Sequence, residues 1–108
     1  MIGLLLQFCL ELPENGGLGL RRVQWQANAQ NTRSIQAGLR MGFLHEGVKR
    51  WERVVPPSEG KPNTTERLPR EGDPRKSDLG RHTVVLGLCW DDWEDGARDK
   101  VRELMKPR

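Results

Sequence analysis

Residues 23–55 constrain the fold more than any other stretch, because strand, helix-cap, helix-stop and strand signals follow one another there without a gap. Val23, Trp25 and Ala27 alternate with Gln24, Gln26 and Asn28. Alternation with period two sends successive side chains to opposite faces, so it predicts a half-buried strand. Asn31 stands where a helix cap is wanted, since its short side-chain oxygen can accept from the free N–H groups of a first turn. Ile35 and Leu39 then share one helix face. Gly42 supplies the left-handed residue that commonly ends a helix. Phe43 and Leu44 lead into a second β-rich run that ends at Val55.

The flanks extend this pattern in both directions. Met1 to Leu12 predicts a helix with a broad apolar face of Ile2, Leu5, Leu6, Cys9 and Leu10, stopped by Pro13 and followed by an Asn15-Gly16-Gly17 turn. No capping residue precedes that apolar face, as in a helix cut open at its N terminus. Leu18 to Ala27 is the first strand, Asn31 to Met41 the second helix and Leu44 to Val55 the second strand. Residues 56–80 hold Pro56, Pro57, Pro62, Pro69 and Pro74 among polar residues, with no apolar periodicity. Such a composition does not offset the entropy of ordering, so a flexible insertion is expected there.

Arg81 to Trp90 is the clearest strand. His82, Val84, Leu86, Leu88 and Trp90 face one way, and Thr83, Val85, Gly87 and Cys89 the other. Both sets are mostly apolar, which predicts a central strand covered on both sides. Asp91 or Asp92 then caps a last helix over residues 91–106. Its acids come first and Lys100, Arg102 and Lys106 later, the order the helix dipole favours. That order accounts for the acidic cluster, and no metal is expected. The sum is one α/β domain over residues 1–108, in the order helix, strand, helix, strand, loop, strand, helix, with a mixed sheet in a three-layer arrangement.

Bulk properties narrow the function classes. At 108 residues the chain holds at most one small domain with a modest core. Its formal net charge of +3 suits an anionic ligand, but the charges are interspersed and no basic stripe with interleaved aromatics argues for nucleic acid. Cys9 and Cys89 lack metal-ligand spacing and read as buried free thiols of a reducing compartment. Met1 to Leu12 is too short to span a bilayer and has no basic flank of a signal peptide, so a cytoplasmic protein is expected. Trp25, Trp51, Trp90 and Trp93 read as core and sheet-packing residues.

The run Arg22-Val23, Asn28, Asn31-Thr32-Arg33-Ser34, Met41-Gly42-Phe43, Glu46-Gly47-Val48, with Asp92-Trp93 after the last strand, resembles the C-terminal half of GNAT-superfamily N-acetyltransferases. It is most similar to the branch containing the ribosomal-protein alanine acetyltransferases. The resemblance covers residues 20–55 and 81–93. It implies a partial GNAT domain that moves an acetyl group from acetyl-CoA to an amine, either a small molecule or a protein N terminus. It also implies that Asn31 and Arg33 contact the cofactor, and that Ser34 lies near its sulfur, where a hydroxyl can protonate the departing thiolate. In the family the pyrophosphate loop and the fourth strand precede the helix matched here by residues 1–12. The resemblance therefore predicts an N-terminally truncated fragment, weakly active or inactive.

The residues themselves leave other readings open. Asn31 also reads as a plain helix cap, Ser34 as a first-turn polar residue and Arg33 as a solvated cation. Glu52 is the first carboxylate to consider as a general base, although with Arg50 and Arg53 beside it a surface ion pair is the stronger reading. Glu46 reads as support for the turn at Gly47, and His82 as a structural strand-start residue. An alternative function is a non-catalytic interaction module that assembles, by self-association or with another chain, through an exposed sheet edge.

Overall fold

The computed structural model describes residues 2–55 and 68–106. Helix α1 (Ile2–Leu10) leads through a short 3-10 turn (Pro13–Asn15) to strand β1 (Arg22–Asn28). Helix α2 (Thr32–Arg40) and the long strand β2 (Leu44–Val55) follow. Strand β3 (Leu79–Cys89) runs into a short helix α3 (Trp90–Asp92), a wide π-helical turn (Trp93–Ala97) and helix α4 (Arg98–Met105). The element order is the one the sequence predicts. Much of the expected flexible insertion, residues 56–67, lies outside the described residues. Its remainder, from Leu68 to Asp78, forms turns in which Arg75 pairs with Asp78.

The sheet has 3 strands in the order β1-β3-β2, with both ladders antiparallel. β1 and β2 point the same way, as a helix crossover requires, but β3 is inserted between them. The mixed sheet expected from the sequence is therefore corrected to an antiparallel one among the described residues. β3 is central, as its apolar composition predicts, and aligns Leu88, Leu86 and Val84 with Val23, Trp25 and Ala27.

That row is the floor of the core. Leu6 and Leu10 of α1, Phe43, and Trp93, Ala97 and Val101 of the C-terminal segment close over Val84, Leu86 and Leu88. Ile35 and Leu39 of α2 pack against the same cluster. All the helices that bury apolar surface thus share one face of the sheet. The three-layer expectation is corrected to two layers among the described residues. On the open face no helix among the described residues covers β3. Instead Arg22 reaches over from β1 to Glu46 of β2, with bonds of 2.9 and 2.7 Å. The pair crosses β3 above Gly87, where a Cβ would collide with both side chains. Glu46 therefore ties two strands together across a third, beyond the local turn support expected of it.

Two further expectations change. The last helix is not continuous: Gly96, at φ 149°, breaks it at the wide turn. Its cap is Cys89, whose N–H donates to Asp92 Oδ2 at 2.9 Å, so Asp92 acts from the third helical position rather than as the cap itself. Among the tryptophans only Trp93 is fully buried. Trp51 and Trp90 stand 46% and 50% exposed, although Trp51 still packs edge-on against His82 of β3.

Candidate functional site

The N-terminal end of α2 is built by its own sequence. Asn28 ends β1 and its carbonyl accepts from Asn31 N–H at 2.8 Å, which turns the chain. Asn31 then caps the helix: its Oδ1 accepts from the backbone N–H of Ser34 at 3.2 Å. The predicted cap is thus formed, and it fixes Ser34 relative to the turn. Gly42, at φ 99°, ends the helix as expected.

Ser34 has a partner that sequence reasoning missed. The indole N–H of Trp25 donates to Ser34 Oγ at 3.1 Å. Trp25 is itself held edge-on against Phe43, with ring centroids 5.5 Å apart. The chemical consequence concerns the direction of the hydrogen bond. An indole can only donate, so the serine oxygen is the acceptor and its own proton stays available to another group. Receiving a bond also polarises the hydroxyl toward donation. A signal for this pairing existed. Strand alternation puts Trp25 on the face that α2 covers, and a half-buried indole N–H wants an acceptor there. Ser34 is the hydroxyl in the first turn of that helix.

Arg33 is exposed and has no ion-pair partner among the described residues. Asn31, Arg33 and Ser34 therefore gather at one helix end, with a cation and a donor hydroxyl both uncommitted. A cation with backbone N–H groups at a helix start is suited to a phosphate or other anion.

Glu52 lies elsewhere. Thr83 Oγ1 donates to Glu52 Oε1 at 2.5 Å, and Arg53 Nε is 3.4 Å from the same oxygen. The bond from Thr83, with the charges of Arg53, Lys49 and Arg81, holds the carboxyl below the usual carboxylate range. A carboxylate made harder to protonate is a weaker base. Thr83 pairs across with Asn28, on the face opposite to Trp25. The sheet stands between Glu52 and Ser34, and the two are not brought together.

The β2 bulge near Glu52 has a local explanation. Lys49 pairs with Thr83 but Arg53 with Arg81, so β2 carries extra residues over that span. Trp51 takes a left-handed φ of 53°, and its N–H donates to His82 Nδ1 at 2.8 Å. His82 is thereby occupied as a structural acceptor. A cavity of about 480 Å³ opens beyond the bulge, between Trp51, Arg53 and Val54 on one side and Arg70, Asp73 and Leu79 on the other. None of Asn31, Arg33 and Ser34 lines it. Cys89, Asp91 and Asp92 bring three potential ligand atoms within 4.8 Å, but Asp92 is already engaged in capping.

The fold has counterparts among solved structures. The chain superposes on a GCN5-related N-acetyltransferase from Brucella melitensis with a TM-score of 0.65 and 22% identity, over 96% of this chain and 35% of that one. The fold is that of the GCN5-related N-acetyltransferases. A protein assigned as an acetyltransferase matches with a TM-score of 0.65 at 22% identity, over 97% of this chain and 41% of that one. Another, from T. thermophilus, gives 0.62 and 22%, over 95% and 41%. This chain therefore spans about two fifths of the length of the acetyltransferase structures it matches. No protein-family model and no curated protein sequence matches it.

Proposed function

We propose that this chain forms one wall of an acetyl-CoA cleft in an N-acetyltransferase, similar to the C-terminal half of the ribosomal-protein alanine branch. Asn31 and Arg33 meet the phosphate-bearing part of the cofactor. Ser34 gives its proton to the thiolate that leaves when an amine attacks the thioester. The attacking nitrogen forms the new C–N bond as the C–S bond breaks, so sulfur gains the electron pair and needs a proton. The observation that carries this reading is the Trp25–Ser34 bond. It orients a hydroxyl at a helix start and leaves its hydrogen free, within a fold shared with acetyltransferases. Trp25 then acts as a positioning residue.

Glu52 is assigned a structural part in this reading. Its carboxylate is satisfied by Thr83 and Arg53 on the other side of the sheet, so the base that deprotonates the amine lies with groups other than Glu52. The acceptor is an amine on a small molecule or a protein N terminus. Catalysis by this chain alone is weak or absent, because the cleft's other wall belongs to the part of the fold that this chain does not span. A cytoplasmic setting fits the free Cys9 and Cys89. Among the described residues no helix is long and apolar enough to cross a membrane.

Calorimetric titration with acetyl-CoA tests the proposal. Saturable binding is expected, weakened about tenfold or more when Asn31→Ala removes the cap and its polar contact. Ser34→Ala is expected to retain binding but to lower any turnover. Absence of binding by the folded chain would refute the cofactor wall. The second reading, a non-catalytic module that assembles through a sheet edge, is supported by the outer side of β1, with which no strand pairs among the described residues.

A further inference from the structure

The sheet ends in a cleft that the proposed cofactor wall does not use. It lies beyond the β2 bulge, between the end of β2 and the segment 68–78 that leads into β3, and encloses about 480 Å³. β2, that segment and the start of β3 line it, and nothing from α1, β1 or α2 does.

One wall of this cleft carries strain. Arg50, Trp51 and Glu52 stand opposite His82 alone, where a regular ladder sets one residue against one. Trp51 absorbs the excess in the left-handed region, the only residue other than glycine to do so among the described residues. A bulky side chain is strained there, and glycine would make the same turn freely. What glycine would not supply is the indole. That ring lines the cleft and is held edge-on against His82, with centroids 5.1 Å apart. Packing on His82 still leaves nearly half of Trp51 exposed. Strain kept beside a cleft points to use of the strained side chain.

The charges around the ring decide what it meets. Arg53, Arg70 and Arg75 line the cleft with Asp73 and Asp78. Arg75 is committed, its Nε donating to Asp78 Oδ2 at 2.6 Å. Asp73 Oδ1 accepts from the backbone N–H of Arg75 at 2.7 Å. Arg53 has Glu52 Oε1 at 3.4 Å, an oxygen that Thr83 already bonds. Arg70 is exposed and has no ion-pair partner among the described residues. A cationic ligand is repelled by these two arginines, and a neutral one desolvates them without a partner. An anion satisfies them, since a guanidinium bonds a carboxylate or phosphate through two parallel N–H groups. Val54 and Leu79 supply apolar surface beside the indole, which suits a flat ring. The volume is that of a small-molecule site.

We propose that this cleft binds a small molecule that carries a carboxylate or phosphate on a flat ring, with the ring against Trp51 and the anion on Arg53 and Arg70. Aromatic carboxylates and nucleoside monophosphates share that chemistry. The site is independent of whether acetyl-CoA binds at the start of α2.

Calorimetric titration of the full chain with 2-naphthoate and with adenosine 5′-monophosphate tests it, with acetyl-CoA in excess so that the cofactor wall is not read instead. Saturable binding of at least one is expected, and the one that binds identifies the anion as carboxylate or phosphate. The neutral counterparts, 2-naphthamide and adenosine, are expected to bind about tenfold more weakly or not at all. Amide shifts are expected at residues 51–54 and 70–80, with 31–34 unmoved. Arg70→Glu, at an exposed position, and Trp51→Gly, which keeps the left-handed turn, are each expected to weaken binding about tenfold or more with the fold retained. Binding of neither probe overturns the proposal. So do shifts centred on 31–34, a neutral counterpart that binds as tightly as its anion, or an Arg70→Glu or Trp51→Gly chain that binds like the parent.

Discussion

β3 presents two faces to two different kinds of neighbour. On the helix side Val84, Leu86 and Leu88 are at most 5% exposed and are held by the volume of Leu6, Phe43 and Trp93 around them. On the open side Thr83 and Gly87 are also buried, but beneath polar side chains: Glu52 over Thr83, and the Arg22–Glu46 pair over Gly87. The same strand is therefore sealed once by shape and once by charge. Burial alone does not say which, and the two seals should fail in different ways.

The largest expected effect is on the sealed face. Leu86→Ala removes a fully buried side chain and leaves a cavity, at a cost of about 3 kcal/mol or more in denaturant unfolding. A loss under about 1 kcal/mol would mean that the helices collapse onto the gap, and that the contrast between the faces is weaker than it looks.

Glu11 tests what happens when charge enters the dry side. Its carboxylate accepts from the Trp93 indole at 2.8 Å and from Arg98 Nε at 2.7 Å, and so ties the end of α1 to the C-terminal segment. Burial pushes this carboxyl up, but the bonds from Trp93 and Arg98 and the charges of Arg98 and Arg102 outweigh it and hold the group below the usual carboxylate range. Glu11→Ala leaves two donors without partners and is expected to cost about 2 kcal/mol. The sign of the pH effect follows from the depressed value. The Glu11 contribution is fully present above the unfolded-state carboxylate range, near about pH 4.3. It is lost as pH falls through the lower folded value. Acid titration of stability should therefore be shallower in Glu11→Ala than in the parent, and parallel curves would contradict the assignment.

The smallest effect belongs to the open face. Arg22 and Glu46 are 37% and 39% exposed. Glu46→Ala should cost least of the three, and the difference should shrink in high salt. A loss that matches Leu86→Ala, or that salt does not change, would show that the polar bridge is as well sealed as the core. Trp25→Phe sharpens the link to the site. It keeps the ring against Phe43 but removes the donor to Ser34, so under the proposed function any turnover should fall more than stability does.

Much of this fold was legible because its local signals agree. The Asn31 cap, the Gly42 stop and the alternation in β1 and β3 each named an element that the structure contains. What escaped prediction depended on partners distant in the sequence. Nothing local to Gly87 says that Arg22 and Glu46 meet above it, and the apolar character of β3's second face suggested a helix layer in place of that bridge. Nothing in a strand-start His82 says that it accepts from Trp51 across a bulge. The break at Gly96 was missed because the charge order of residues 91–106 fits an uninterrupted helix. The helix start that carries Asn31, Arg33 and Ser34 was legible because its cap signal is local. Trp25 was not, since a tryptophan on a buried face is explained well enough by packing until its N–H is traced to an acceptor.

Gly87 has a consequence for how this sequence can change. The absent side chain is what lets Arg22 and Glu46 cross β3, so positions 22, 46 and 87 are one unit of variation. A family tree of such chains should lose or gain the three together: where 87 acquires a side chain, the arginine and the glutamate are released from each other and free to drift. Relatives that keep glycine there should keep an oppositely charged pair at the other two positions, with the signs free to exchange.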